Sequence, residues 1–287
     1  MKHAFLILCH GDFSVLQYLI SFLDHNDHDI YIHFDKKVKK LPTLRCELSY
    51  LEILDERVDV RWGHRSMIES ELLLIDAALK RNEYSYLHVI SGVHFPICTM
   101  QNFHMYFEKI AGASVFLKMY SNYFEFDMKL VRYNFFIKYF RDQNLKGRLA
   151  NLLWRIFLRL QKLLRIKRFR TQDYIKASQW CSITKEAAAY ISKSQKAILK
   201  EYKYTLCGDE FFIPSALNRS PLKNRIIFDN HYLKCDFNNG YSPKVYTLAE
   251  YEELINGNNH LFARKFNDEN IDVVKKLFAH LGDNKTN

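Results

Sequence analysis

The sequence predicts an α/β fold, a central and largely parallel sheet flanked by helices. Three observations carry this. Apolar runs of strand length alternate with helical apolar periodicity in the N-terminal third, joined by short links. The composition is globular, with 48% hydrophobic and 26% charged residues. A chain of 287 residues with only 9 Gly and 5 Pro can build a large core and excludes linker arrays and low-complexity tails. No repeat or linker divides it, so residues 1–287 read as one domain.

The elements follow in order. Ala4–Cys9 is a strand, His10-Gly11-Asp12 a turn, and Val15, Leu16, Leu19, Ile20 and Leu23 recur at helical spacing. Asp29–Phe34 is the second strand, which makes a parallel βαβ unit. Ligands of such sheets sit beyond the carboxyl ends of the strands, where His10 and Asp35 fall. A helix is expected over Met67–Lys80, with Ser66 and Glu69 as a capping box. Leu87–Ile90, Ser114–Leu117 and Ser178–Ile183 read as strands. Thr184 caps a helix through Ser192, Asp209–Leu217 is a short helix, and Thr247 and Glu250 form a second capping box before a helix to Ile255. The last helix runs from Ile271 to Leu281.

Charge is concentrated. Lys plus Arg number 42 and Asp plus Glu 32, a net +10. Residues 138–170 hold eleven Lys/Arg against Asp142 alone, so this segment carries the entire excess. Within it Lys146–Arg168 is strongly helical. Leu149, Leu152, Leu153, Ile156, Phe157, Leu160, Leu163 and Leu164 share one face, with Arg148, Arg155, Arg159 and Lys162 largely off it. Two dispositions fit: a core helix with a solvated basic face, or an interfacial helix on an anionic membrane surface. The one-sided charge favours the second. A basic nucleic-acid-binding protein is the rival from another class, although no binding motif occurs and no nucleic-acid partner is expected.

The six cysteines show no CxxC spacing and read as reduced thiols of a cytoplasmic protein. The N-terminal apolar run is too short for a signal peptide, and no run of about 18 apolar residues predicts a membrane-spanning helix. Asp27-His28-Asp29 has the DxD form of a metal-binding motif but precedes the second strand, at the wrong end of the sheet, and reads as a solvated turn.

Four stretches resemble one family when taken together: Leu6–His10 with Ile30–Lys37, Arg61–Leu72, Ser91–Ile97, and His260–Phe266. Their order and spacing look like the core-2/I-branching β-1,6-N-acetylglucosaminyltransferases, glycosyltransferase family 14, in a bacterial-type member. The resemblance implies a GT-A-like, Rossmann-type fold and inverting, metal-independent transfer from a UDP-sugar to a glycan hydroxyl, with no metal or cofactor. N-acetylglucosamine is the first choice of sugar, with xylose, glucose and galactose as alternatives. Gly208-Asp209-Glu210-Phe211-Phe212 matches the acidic motif, and Glu210 takes the place of the catalytic base; Phe211 and Phe212 are expected to desolvate it. Lys265 matches the lysine that steadies the leaving diphosphate, beside Arg264, and Lys244 stands where the family can carry an arginine. Asp35, His10 and Ser91-Gly92 are assigned to the nucleotide, and His94 stands where the family usually has an acid. Glu125, Arg132, Tyr133 and Trp180 lie in acceptor-shaping regions, with a core role equally open for Trp180. The expected partners are a UDP-sugar, a glycan or lipid-linked glycan acceptor and an anionic membrane surface. The expected location is cytoplasmic, peripheral at the inner face of the cytoplasmic membrane.

Overall fold

The computed structural model describes residues 1–119, 122–169, 173–237, 242–256 and 260–282. The chain runs β1 (His3–Cys9), α1 (Phe13–Leu23), β2 (His28–Phe34), β3 (Tyr50–Ile53), α2 (Ser66–Arg81), β4 (Tyr86–Ser91), β5 (His94–Pro96), α3 (Met100–Lys109) and β6 (Ser114–Lys118). It continues through α4 (Tyr123–Phe126), α5 (Leu145–Leu163), β7 (Ala177–Thr184), α6 (Lys185–Lys193), α7 (Gln195–Glu201), α8 (Phe212–Asn218), β8 (Ile226–Phe228), β9 (Leu233–Lys234), α9 (Tyr251–Asn256), β10 (Phe262–Arg264) and α10 (Ile271–Gly282). Seven strands form a mixed sheet in the order β3-β2-β1-β4-β7-β6-β8, and β5-β10-β9 form a second, smaller one. Strands β1 to β4 run parallel, while β7 is antiparallel to β4 and β6. The expected α/β class, a central sheet flanked by helices, is the one observed.

Side chains on each strand alternate between two cores. On β1, Phe5, Ile7 and Cys9 join the core on the side of α1 and α10, while Ala4 and Leu6 join the core on the side of α2 and α6. Both faces are covered, so the parallel strands read as unbroken apolar runs. The strand order reverses between β1 and β4, and the crevice beyond their carboxyl ends is where such folds bind ligands.

Several local expectations change. Ser66 is no cap: α2 begins after Arg65 without a side-chain cap, Ser66 Oγ accepts from Arg61 N at 2.9 Å, and Glu69 pairs with Arg65. The box at Thr247 and Glu250 forms as expected. The helix expected over Asp209–Leu217 splits into a 3-10 turn at Gly208–Glu210 and helix α8. Asp29 is no solvated turn residue. It is buried in β2, hydrogen-bonded to Tyr84 and Asn82 and paired with Lys2. All six cysteines are free.

Helix α5 is the largest departure from ordinary amphipathic packing. It buries Gly147, Ala150, Leu158 and Gln161, and turns Leu145, Leu149, Leu152, Ile156, Leu160 and Leu163 outward. Polar clamps hold it in place. The Gln161 amide bonds the backbone N and O of Tyr133 at 2.7 and 2.9 Å, and Trp154 Nε1 donates to Asn134 Oδ1 at 2.8 Å. Gly147 sits so close to the Asp142 carbonyl that a Cβ there would meet its oxygen at 1.8 Å.

Candidate active site

Three strand ends form the first half of the site. His10 follows β1, Asp35 follows β2, and Ser91-Gly92 closes β4. Asp35 N donates to Cys9 O at 2.9 Å and Gly92 N to Leu8 O at 3.0 Å, which draws the three ends together. Gly92 is required there, because a Cβ would meet Cys9 Sγ at 2.9 Å. The Asp35 carboxylate is nearly buried and accepts from Lys37 N and Nζ at 2.9 and 2.7 Å. Exposed His10 stands at the mouth. Partial desolvation, followed by the Lys265 charge, holds its imidazole below its ordinary pKa.

The C-terminal segment supplies the cations. Strand β10 pairs with β5, which sets Arg264 opposite His94, and Phe266 N donates to Val93 O. Asp268 caps α1, accepting from Ser14 and Val15 at 3.2 and 3.0 Å, and its own N donates to Asp12 Oδ1. The N-terminus of α1, a common phosphate seat in such folds, is thus already filled by a carboxylate of the chain itself. An anion in the crevice has Lys265 instead. It is half-buried and has no acidic ion-pair partner among the described residues. Arg264 lies over the Trp180 ring at 5.1 Å. His94 meets the same ring edge-on at 4.8 Å, and its Nδ1 takes Ser91 N at 3.1 Å and Ser91 Oγ at 2.7 Å. Burial, then Arg264, push the His94 pKa well down, so the ring is neutral. His94 Nε2 and Arg264 Nε are buried with no hydrogen-bond partner among the described residues. Two orphaned donors beside one indole are what a polar ligand would satisfy.

The second half is a square of two glutamates and two lysines. Lys129 Nζ lies 2.8 Å from both Glu125 Oε1 and Glu210 Oε2. Lys176 Nζ lies 2.7 Å from Glu125 Oε1 and 3.5 Å from Glu210 Oε2. Glu210 is placed by the loop before it: Cys207, in left-handed conformation, donates to Gly63 O at 2.8 Å, and Leu206 N to Lys129 O at 3.0 Å. Lys176 immediately precedes β7, which is antiparallel to β4, so the square lies at the carboxyl edge. Burial alone would raise the Glu125 carboxyl, but the two ammonium groups outweigh it and hold it at about 2. Burial lowers Lys129, and Glu210 first among its neighbours reverses that into a net rise. Behind the square, burial and then Glu210 push Asp209 up to about 7. Buried Glu71, which accepts from Gln179 Nε2 at 2.8 Å, is pushed up by burial and then by Asp209. Glu71 Oε2 and Asp209 Oδ1 have no hydrogen-bond partner among the described residues, so nothing at those atoms offsets the cost of burying the charged form.

The structure therefore brings His10, Asp35, Ser91, Gly92, Arg264 and Lys265 together in one group and Glu125 with Glu210 in another, both at the carboxyl edge of the sheet and both touching β7 or the residue before it. Other assignments change. Phe211 and Phe212 are wholly buried in the core beside α2, and what meets Glu210 is a lysine pair. The Lys244 backbone accepts from Lys265 N at 3.2 Å, but its ammonium is paired with Glu250 at 3.0 Å, inside the capping box. Arg132 is buried in a fork on Asp127, with two contacts of 3.0 Å, and its remaining nitrogen reaches the Gln161 and Ile166 carbonyls. It fixes the end of α5. Tyr133 stacks on Phe135 and lies 5.1 Å under Arg168. Trp180 belongs with Arg264 and His94. Lys129 and Lys176 were not anticipated. The i, i+4 spacing of Glu125 and Lys129 was the available sign.

No curated protein matches the chain. Among solved structures it is similar to residues 1–349 of S. aureus TarS, at 10% identity and a TM-score of 0.39 over 80% of this chain. The chain spans 58% of that TarS chain. It is also similar to mouse xyloside xylosyltransferase 1 in its apo form, at 7% identity and a TM-score of 0.40, over 91% of this chain and 96% of that one. The Core-2/I-Branching enzyme family model matches residues 3–256. That span takes in the strand ends and the glutamate–lysine square and stops before Arg264 and Lys265, and the chain belongs to the Core-2/I-Branching enzyme family of glycosyltransferases.

Proposed function

We propose that this glycosyltransferase moves a sugar, N-acetylglucosamine first among the candidates, from UDP to a glycan hydroxyl with inversion and without a metal. The observation that carries this reading is the state of Glu210. The shortest contact of each lysine falls on Oε2, and among the described residues no hydrogen bond is made to Oε1. One carboxylate oxygen is held by the lysines and the other is left without a hydrogen bond among the described residues, at the carboxyl edge of the sheet. That second oxygen takes the proton from the acceptor hydroxyl as the hydroxyl oxygen attacks the anomeric carbon. The bond from that carbon to the diphosphate breaks on the opposite face, and the departing charge meets Lys265 and Arg264. Those fixed cations stand in for a metal, and the literal DxD at Asp27-His28-Asp29 lies at the other edge of the sheet. Asp35 and the His94–Trp180–Arg264 group serve the nucleotide. The test is turnover in EDTA with a panel of UDP-sugars, with product configuration read by NMR. A β product from an α-linked donor supports the reading; an α product, or activity restored only by a divalent ion at the donor site, overturns it.

The acceptor side carries a second reading, peripheral membrane attachment at a lipid-borne acceptor. No helix among the described residues is long and apolar enough to cross a membrane. Of the twenty exposed large hydrophobic side chains among the described residues, thirteen fall between Tyr123 and Ile166. The outward stripe of α5 is flanked by Arg148, Arg155, Arg159 and Lys162. Lys162 covers the Phe124 ring at 4.3 Å, and exposed Tyr123 and Phe124 adjoin Glu125 of the square. The apolar surface thus runs to the mouth of the acceptor crevice. A nucleic acid would call for a polar basic face, whereas leucines bordered by cations match an anionic bilayer.

A further inference from the structure

The opposite edge of the sheet holds a second cluster that the transferase chemistry leaves unused. His25 lies in the turn before β2, His28 is the first residue of β2, and His104 sits on α3. Each offers one ring nitrogen, and the three lie within 4.8 Å of one another. His28 Nδ1 is 2.8 Å from Leu23 O. A carbonyl only accepts, so Nδ1 carries the proton and Nε2 presents its lone pair. That backbone bond on the far nitrogen is how proteins orient a metal-bound imidazole. His28 Nε2 faces His104 Nε2 at 2.8 Å. The cluster is open to solvent at His25, which is 37% exposed.

We propose that His25, His28 and His104 form a site for a divalent transition cation of borderline softness, with Zn²⁺ as its type. Three imidazoles suit zinc, copper or nickel, and poorly suit magnesium or calcium. With Zn–N bonds of about 2.0–2.1 Å, tetrahedral ligands stand about 3.3 Å apart. His28 and His104 need only part slightly while His25 closes in. Water, admitted at the exposed His25 side, completes the shell. The ion would tie the turn before β2 to α3, at the edge of the sheet away from Glu210. Its role is structural, so its occupancy changes stability and leaves the transfer step alone.

The experiment uses the full chain, stripped with EDTA and desalted. Co²⁺ is titrated while its visible ligand-field absorption is followed, and Zn²⁺ binding is then measured by competition with a chelator. The expected result is one equivalent, with no sulfur-to-metal charge-transfer band. His104→Ala and His25→Ala should each weaken binding at least about tenfold, while His231→Ala, outside the cluster, should not. Zn²⁺ should raise the melting temperature of the wild type and not of the two variants. His25 is partly exposed, so its variant folds even if His104→Ala does not. Absence of stoichiometric binding, a thiolate band, or wild-type affinity in His25→Ala would overturn the site.

Discussion

Helices α2 and α5 carry similar sequence patterns and opposite fates. Helix α2 turns Ile68, Leu72, Leu74, Ile75 and Ala78 into the core beside the sheet. Helix α5 has a longer and stronger apolar stripe, yet points most of it at solvent and packs through Gly147, Ala150, Leu158 and Gln161. Periodicity reveals that a helix has an apolar face; it does not say what covers it. The contrast also separates tasks. Under the function proposed above, the chemistry belongs to Glu210 beside α2, and the membrane contact to α5 with Tyr123 and Phe124.

The largest test of that separation is Glu210→Gln. Turnover should fall on the order of a thousandfold, the scale of a lost general base, while UDP affinity and vesicle binding stay as in the wild type. Substantial residual turnover would move the base elsewhere. Next comes packing. Leu72→Ala should cost about 2–5 kcal/mol in denaturant unfolding, and Leu152→Ala, at 55% exposure, no more than about 0.5 kcal/mol. Equal losses would mean that the α5 stripe is covered in solution. The third test is docking. Replacing Leu152, Ile156 and Leu160 together by Ser should release the protein from vesicles containing phosphatidylglycerol, and Arg155→Gln should weaken binding by about 1 kcal/mol. Turnover on a soluble acceptor should persist in both. Binding that survives the triple change would contradict the α5 assignment.

The smallest effect is a pH dependence. The Asp209 carboxyl is raised to about 7 in the folded state. Between its ordinary value near 4 and about 7 the folded chain therefore holds a proton that the unfolded chain has lost, so this group makes stability fall as pH rises through that window. Glu125 acts in the opposite sense: its contribution is complete above its ordinary value and disappears as pH falls toward about 2. Asp209→Asn should flatten the slope from pH 4 to 7 in thermal melts. An unchanged slope would assign it to another group.

Much of the central sheet was legible because buried parallel strands are near-continuous apolar runs, as in β1, β2 and β4. Strands β5, β9 and β10 were not, since two or three residues carry no period. Helix α3 also went unread: Met100, Phe103 and Phe107 alone are buried among polar neighbours. At the candidate site, Glu210 and Lys265 were singled out by motif resemblance alone. Their partners were harder. Lys129 and Lys176 are far apart in sequence and meet only because β7 brings Lys176 beside Glu125. The burial of Arg132 and the pairing of Lys244 with Glu250 likewise depend on tertiary packing that no local pattern records.

The most direct test of the central claim is calorimetric titration of the wild type and Lys265→Ala with UDP, each in EDTA. The account predicts wild-type binding that ignores the chelator and an affinity at least about tenfold weaker in the variant, the loss of one charge-assisted contact of about 1.5–3 kcal/mol. Absence of binding in EDTA with recovery on adding a divalent ion, or equal affinity in both proteins, would contradict it.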